Sequence, residues 1–82
     1  MSHKLLRLPT VKAESGLSRS TIYLRVAQGL WTRPVSLGAR AVAWPADEVQ
    51  ALNAARIAGQ GDADIRQLVL RLHAARTAGA VR

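Results

Sequence analysis

The rest of this chain is organised around residues Gly16–Gly29, which read GLSRSTIYLRVAQG. Ser18 is a favourable N-cap, because its hydroxyl accepts a hydrogen bond from the first turn of a helix. Gly29 stands where a helix ends in the left-handed conformation that glycine adopts without strain. Ile22 and Val26 are four residues apart and share one face, which must be buried. The sequence therefore predicts a short helix that is fixed by its apolar side.

A first helix is predicted just before this one. Leu5–Leu8 reads as a short extended segment, and Pro9 then opens a helix over residues 9–15, because proline suits the first turn. Val11 is its expected core residue, and Gly16 ends it. Two short helices joined by a three-residue turn that contains glycine predict a helix-turn-helix.

The other side of the second helix carries arginine and hydroxyl side chains. Arg19 lies in the first turn, where a guanidinium reaches O6 and N7 of guanine; the alternatives are a phosphate contact and a free surface arginine. Ser20 and Thr21 bond a base edge or a phosphate, or they cap the helix. Tyr23 bonds a phosphate or packs its ring under the hairpin described next, and Arg25 is expected to contact phosphate. Such a helix has the form needed to read a DNA groove.

A β-hairpin is predicted after this helix. Val35–Leu37 and Ala41–Trp44 read as two short strands, and Gly38-Ala39-Arg40 is a glycine-containing connection of ordinary length. Strict alternation places four side chains on the core side: Val35, Leu37, Val42 and Trp44. A hairpin in this position is called a wing, and a basic tip such as Arg40 commonly contacts phosphates or the minor groove.

A third helix is predicted over residues 45–58, beginning at Pro45. Its first turn holds two acids, Asp47 and Glu48, which we interpret as partners of the helix dipole rather than as catalytic groups. Its expected core residues are Val49, Leu52 and Ile57.

A fourth helix is predicted over residues 62–78, capped by Asp62 after the hinge Gly59-Gln60-Gly61. Helical spacing gives it an apolar stripe of Ile65, Leu68, Val69 and Leu72. Three arginines are expected to face outward: Arg66, Arg71 and Arg76. The stripe either folds back on the small core or pairs with another copy of the chain. The predicted fold is mainly α with a small β-hairpin, divided into a winged helix-turn-helix over residues 1–59 and a helical extension over residues 60–82.

Charge is distributed unevenly along the 82 residues, which carry 12 Lys and Arg against 5 Asp and Glu, a net charge of +7. Most of the excess lies in residues 1–46, where Glu14 is the one acid. A one-sided basic surface attracts polyanions through its long-range potential and through counterion release. Double-stranded DNA is therefore the expected partner, and a basic surface without a ligand is the alternative.

The residues that several other classes of protein require are missing from this sequence. The absence of cysteine excludes disulfides, zinc fingers and thiol catalysis. No nucleophile, base and orienting group stand together, so no enzyme activity and no cofactor are expected. His3 and His73 lie far apart, with no second ligand spaced for a metal. The start of the chain lacks an export signal and no apolar run spans a bilayer, which predicts a cytoplasmic protein without membrane contact.

Three blocks of sequence, in this order, resemble the AlpA family of prophage regulators: Leu5–Pro9, Gly16–Tyr23 and Arg33–Trp44. The resemblance covers about residues 4–58. It implies a winged helix-turn-helix similar to those of MerR-type regulators and phage excisionases. It also implies a DNA-binding protein that regulates transcription or promotes excision, with integrase or the transcription machinery as further partners. Many members have Arg-Leu where this chain has Leu24-Arg25, which leaves open which of the two faces DNA.

By position, the resemblance makes Ser18–Gln28 the recognition helix and Arg40 the arginine of the wing tip. The nine candidate DNA-binding residues are Lys12, Ser18, Arg19, Ser20, Thr21, Tyr23, Arg25, Arg33 and Arg40. Lys12 and Arg33 are expected to contact the phosphate backbone. One short reading helix covers few base pairs, so self-association is expected, on DNA if not in solution. The rival hypothesis is a protein-interaction adaptor that works through the C-terminal amphipathic helix.

Overall fold

The computed structural model describes residues 4–80, and the side chains of residues 4–77, so that His3 lies outside the described residues. Four helices and a three-stranded sheet form the chain, which confirms the prediction of a mainly α fold with a small β-hairpin. In order they are β1 (Leu5–Arg7), α1 (Leu8–Ser15), α2 (Arg19–Ala27), β2 (Val35–Gly38), β3 (Ala41–Pro45), α3 (Ala46–Ile57) and α4 (Asp62–Ala80).

Local sequence signals define the ends of α1 and α2 and the turn between them. Gly16 ends α1 with a φ of 73°, and its N–H donates to the Lys12 carbonyl at 2.9 Å. Ser18 caps α2, since its hydroxyl accepts from the Thr21 N–H at 3.2 Å. Gly29 follows α2 with a φ of 76°, and the next N–H reaches back to the Arg25 carbonyl at 2.8 Å. This is the glycine-terminated helix end that the sequence predicts.

The extended N-terminal segment forms the edge strand β1 of a three-stranded antiparallel sheet with the order β1-β3-β2. Leu6 lies opposite Trp44, and both are buried. The Ala46 N–H at the start of α3 donates to the Lys4 carbonyl at 2.8 Å. The central strand β3 is therefore paired on both sides and leads directly into α3.

A bulge in β2 changes which side chains of the wing face the core. Val35 lies opposite Ala43 and Ser36 opposite Val42, but Gly38 lies opposite Ala41, so Leu37 is an extra residue. A bulge shifts the alternation of a strand by one position. Leu37 is consequently 45% exposed, and Val35 shares a face with Ala43 rather than with Trp44. The prediction that Val35 and Leu37 lie on the Trp44 side is wrong for this reason.

One hydrophobic core joins all four helices to the sheet. Its buried members are Leu6, Val11, Ile22, Leu30, Trp31, Trp44, Ala46, Val49, Leu52, Ala55, Ile65 and Val69. The predicted burial of Val11, Ile22 and Trp44 is confirmed, and Trp31 is buried as well. The Trp44 Nε1–H donates to the Thr32 carbonyl at 2.8 Å. The apolar stripe of α4 folds back on this core, because Ile65 is fully buried and Val69 is 3% exposed.

Two expectations about the end of α3 and the start of α4 are wrong. Ile57 is 87% exposed, and Ala55 is buried in α3 instead. Five residues separate Ile57 from Leu52, which turns Ile57 about 140° away from the buried face. Asp62 is the first residue of α4 rather than its cap, since the Gly61 carbonyl already accepts from the Ile65 N–H at 3.0 Å.

Candidate nucleic-acid interface

The start of α2 gathers three of the predicted site residues. Ser18 is the centre of this cluster: its hydroxyl donates to the Thr21 hydroxyl at 2.9 Å and lies 3.3 Å from the Ser20 hydroxyl. Thr21 also gives its backbone N–H to Ser18. The Ser18 hydroxyl therefore caps α2 and the Thr21 hydroxyl accepts from it, while Ser20 stays exposed beside them.

A stack of three side chains links the first turn of α2 to the wing. The Arg19 guanidinium lies over the Tyr23 ring, 5.5 Å from its centroid. Tyr23 in turn meets Trp44 of β3 edge to face, with 6.0 Å between the ring centroids. Arginine over an aromatic face is an attractive cation–π contact, of about 0.5–1 kcal/mol at an exposed site. The Tyr23 ring thus packs under the wing, and it orients an exposed arginine at the start of α2.

The solvent side of α2 is defined by residues opposite its buried face. Ile22 is fully buried and Val26 half-buried, whereas Ser20, Leu24 and Gln28 are exposed at successive helical turns. Leu24 is 56% exposed and Arg25 is half-buried. The sequence left open whether Leu24 or Arg25 faces outward, and in the structure it is Leu24 that lies at the middle of the exposed side of α2.

Two side chains of α4 form hydrogen bonds with the backbone of Arg33, one with its N–H and one with its carbonyl. The Arg33 N–H donates to Nε2 of His73 at 3.1 Å, and its carbonyl accepts from Nη2 of Arg76 at 2.7 Å. The Arg33 residue itself is exposed. This arrangement fixes the chain just before the wing and leaves the Arg33 guanidinium on the surface.

Arg76 also forms a two-pronged ion pair with Glu48 of α3. Its Nε and Nη2 donate to the two carboxylate oxygens at 2.7 and 2.6 Å. The Glu48 side chain is 6% exposed and that of Arg76 is 24% exposed. The expectation that Arg76 faces outward is wrong, and Glu48 is a buried ion-pair partner as well as a first-turn acid. A carboxylate at this depth requires a charged partner.

His73 is a structural hydrogen-bond acceptor rather than a residue without a role. Burial lowers the pKa of His73 below its ordinary value of 6.5, and the Arg33 and Arg76 cations lower it further, against the opposite effect of Glu48. A neutral imidazole is required because Nε2 accepts the Arg33 N–H. The pKa shift and the hydrogen bond therefore favour the same protonation state.

A second arginine of α4 contacts the end of α2. Nε of Arg66 donates to the Gln28 carbonyl at 3.0 Å, and its side chain passes along Gly29. The carbonyls at the end of a helix lack partners within it, so an arginine there satisfies one of them. α4 thus supports both the end of α2 and the segment that leads to the wing.

The remaining predicted residues are exposed and separate. Lys12 lies in the last turn of α1, Arg40 lies at the wing tip, and the structure records no contact that joins either of them to Arg33. The wing tip contains Ala39 with a φ of 47°, which is unusual for a residue other than glycine. Within residues 4–80 no group of acidic or histidine side chains is arranged to hold a metal.

Sequence reasoning missed Glu48, His73 and Arg76, although a signal was present. Arg76 continues the buried stripe of α4, four residues after Leu72, and His73 lies four residues after Val69. Glu48 lies on the α3 face that buries Leu52, four residues before it. Polar residues that continue an apolar stripe are candidates for buried pairs, because helical spacing places them on the same face.

Comparison with known proteins shows which family the chain belongs to. Residues 4–57 match the family described as prophage CP4-57 regulatory protein (AlpA). The chain belongs to the AlpA family. It is also similar to the uncharacterized protein ORF88 of Enterobacteria phage P4, with 49% identity over 57 residues, 70% of this chain and 65% of that protein. The chain thus spans somewhat less than two thirds of this relative, and no solved structure matches it significantly.

The family match of this AlpA-family protein ends with α3, so α4 lies beyond it. The matched part contains α2, the wing and all nine predicted site residues. The side chains that hold Arg33 and the end of α2 come from the unmatched α4. No helix in the described part of the chain has the length and apolar character needed to cross a membrane.

Proposed function

We propose that this AlpA-family protein binds double-stranded DNA in a sequence-specific manner, with α2 in the major groove. The observation that carries the proposal is the asymmetry of α2. Its apolar side is locked into the core through Ile22, while its opposite side is exposed and its first turn presents Arg19. A recognition helix needs this combination, because its N-terminal residues reach base edges while the domain holds its direction.

The distribution of charge supports the same proposal. Residues 4–46 contain seven Lys and Arg and a single acid, and Lys12, Arg33 and Arg40 are exposed among them. Cations of this kind neutralise phosphates and release counterions. In the proposed complex the wing tip with Arg40 contacts the adjacent backbone or minor groove, and Lys12 and Arg33 contact phosphates.

The experiment is selection of bound duplexes from a random pool, followed by anisotropy titration of the selected duplex and a scrambled one. We expect tighter binding of the selected duplex, and an affinity that falls linearly with salt on logarithmic axes. Absence of duplex binding at low salt would refute the proposal. Equal affinity for the selected and scrambled duplexes would show that the protein binds DNA without sequence specificity.

The biological role within the family is also part of the proposal: a transcriptional regulator, or a factor that promotes excision of a mobile element. Titration against promoter duplexes and attachment-site duplexes of the element that encodes the protein distinguishes the two. Self-association on DNA is proposed because one α2 reads few base pairs. Sedimentation with and without the selected duplex tests it, and a single copy on the duplex would contradict it.

The adaptor alternative depends on a free apolar stripe on α4, and Ile65 and Val69 of that stripe are in the core. Truncation after Gly59 would remove these two core residues, so it tests folding as much as function. Surface variants of α4, such as Leu70→Ala at a residue that is 60% exposed, are the sharper test. Unchanged DNA binding with loss of a protein partner would favour the adaptor.

A further inference from the structure

We propose that Leu24 is a specificity-determining residue that reads the C5-methyl group of a thymine in the major groove. The inference rests on the proposed function, since it assumes that the outward side of α2 faces DNA. It concerns a residue outside the nine that the sequence assigns to the site.

The position of Leu24 on α2 carries the argument. Leu24 is two residues from both Ile22 and Val26, about 200° around the helix from each. Those two residues hold α2 on the core, so Leu24 lies on the side farthest from it. Its 56% exposure agrees with this position. When α2 enters a groove, the residue farthest from the core is the one that goes deepest.

The chemistry of Leu24 limits what it can recognise. A leucine side chain has no donor or acceptor for the polar edges of the bases. The apolar group that the major groove offers is the C5-methyl of thymine. Burial of a leucine against a donor or acceptor leaves that group without a partner, which disfavours the other bases at this position.

The neighbours of Leu24 fit a base-reading row. Ser20 and Gln28 are exposed one turn before and one turn after it, and both side chains form hydrogen bonds with base edges in other complexes. Gln28 is anchored because its carbonyl accepts from Arg66. The row therefore has an apolar centre between two polar residues, which predicts a thymine between positions read by hydrogen bonds.

The test removes one methyl group at a time. Each thymine of the selected duplex is replaced by deoxyuridine, and the dissociation constant is measured by anisotropy at fixed salt. We expect one position at which wild-type protein loses about four-fold in affinity, the value for one buried methyl-sized group. Leu24→Ala should bind the thymine and deoxyuridine duplexes equally. Ile57→Ala, which truncates an aliphatic side chain that is 87% exposed on α3, should retain the discrimination.

Two results would overturn the inference while leaving the proposed function intact. In one, the protein binds its selected duplex but no deoxyuridine substitution weakens it. In the other, Leu24→Ala keeps the wild-type preference for thymine, so that another residue reads the methyl. A protein that binds no duplex at all refutes the proposed function, and the inference falls with it.

Discussion

Replacement of Arg76 by alanine is expected to destabilise the protein severely, although the arginine lies outside the family match. The change removes two hydrogen bonds to Glu48, at 2.7 and 2.6 Å, and one to the Arg33 carbonyl at 2.7 Å. It leaves a carboxylate that is 6% exposed without its cation. Loss of one partner of a buried pair costs about 3–5 kcal/mol.

The lower end of that range applies here, because the Arg76 side chain is 24% exposed and solvent weakens its pairing. We therefore expect a loss of about 3 kcal/mol in the free energy of unfolding. A chain of 82 residues has a total of about 4–12 kcal/mol. The melting temperature should fall by about 12–24 °C.

Urea unfolding followed by tryptophan fluorescence measures this loss, since Trp31 and Trp44 are both buried. Arg71→Ala is the matched control, because Arg71 is an exposed arginine on the same helix and should change stability by less than about 0.5 kcal/mol. Adding Glu48→Met to Arg76→Ala replaces the unpaired carboxylate by an apolar chain of similar length.

This double variant should recover at least about half of the lost stability, because an apolar group at a buried site carries no desolvation penalty. A loss of less than about 1 kcal/mol for Arg76→Ala would contradict this prediction. A further loss of stability when Glu48→Met is added would contradict it too, since the unpaired charge would then not be the cause.

Four further predictions concern single residues. Arg19→Ala should relax the base preference of the selected site by about 1–3 kcal/mol, measured against single-base variants; unchanged preference would assign Arg19 to phosphate. Arg33→Ala should reduce the salt slope of binding by about 0.9, with Arg71→Ala as the control that leaves it unchanged. Because the pKa of His73 is lowered in the folded state, His73 takes up a proton in the unfolded chain at a higher pH than in the folded one. The free energy of unfolding that depends on neutral His73 is therefore fully present above pH 6.5 and is lost as the pH falls toward the folded-state pKa. Thermal melts from pH 7.5 to 5.5 should show this decline, and His73→Gln should show less of it; parallel curves would contradict the role of His73. Ala39→Gly should raise the free energy of unfolding by about 0.5–1 kcal/mol, because Ala39 has a φ of 47°; a decrease in urea stability would contradict the strain.

The pair of helices α1 and α2 was predictable because its signals are local. Ser18 and Gly29 bracket α2 through hydrogen bonds to residues three to five positions away. Ile22 and Val26 share a face by helical spacing alone. Such local signals favour a capped helix wherever another element covers its apolar side.

The wing and α3 show where local patterns fail. Alternation places Leu37 inward, but the bulge beside Gly38 shifts the register and exposes it. Ile57 has the chemistry of a core residue, but its angular position on α3 turns it into solvent while the smaller Ala55 is buried. In both cases the geometry of the element that carries the residue, rather than the hydrophobicity of the side chain, decides burial.

Part of the candidate site could likewise be predicted from the sequence, and part depends on how the helices pack. The sequence identifies Arg19, Arg33 and Arg40 as exposed cations in a basic half, and the structure agrees with their exposure. It does not reveal that His73 and Arg76 hold the backbone of Arg33, since 40 and 43 residues separate them in the chain. Contacts over such distances depend on how the helices pack.

Sequence alone is enough to predict the capped helix α2, the basic N-terminal half and the order of helices and strands. These depend on hydrogen bonds within a few residues, on helical spacing and on charge, all of which can be counted along the chain. The fold was needed to show that α4 folds back on the core and that His73 and Arg76 hold the backbone of Arg33. Burial of a side chain depends on what packs against it, and those partners lie far away in sequence.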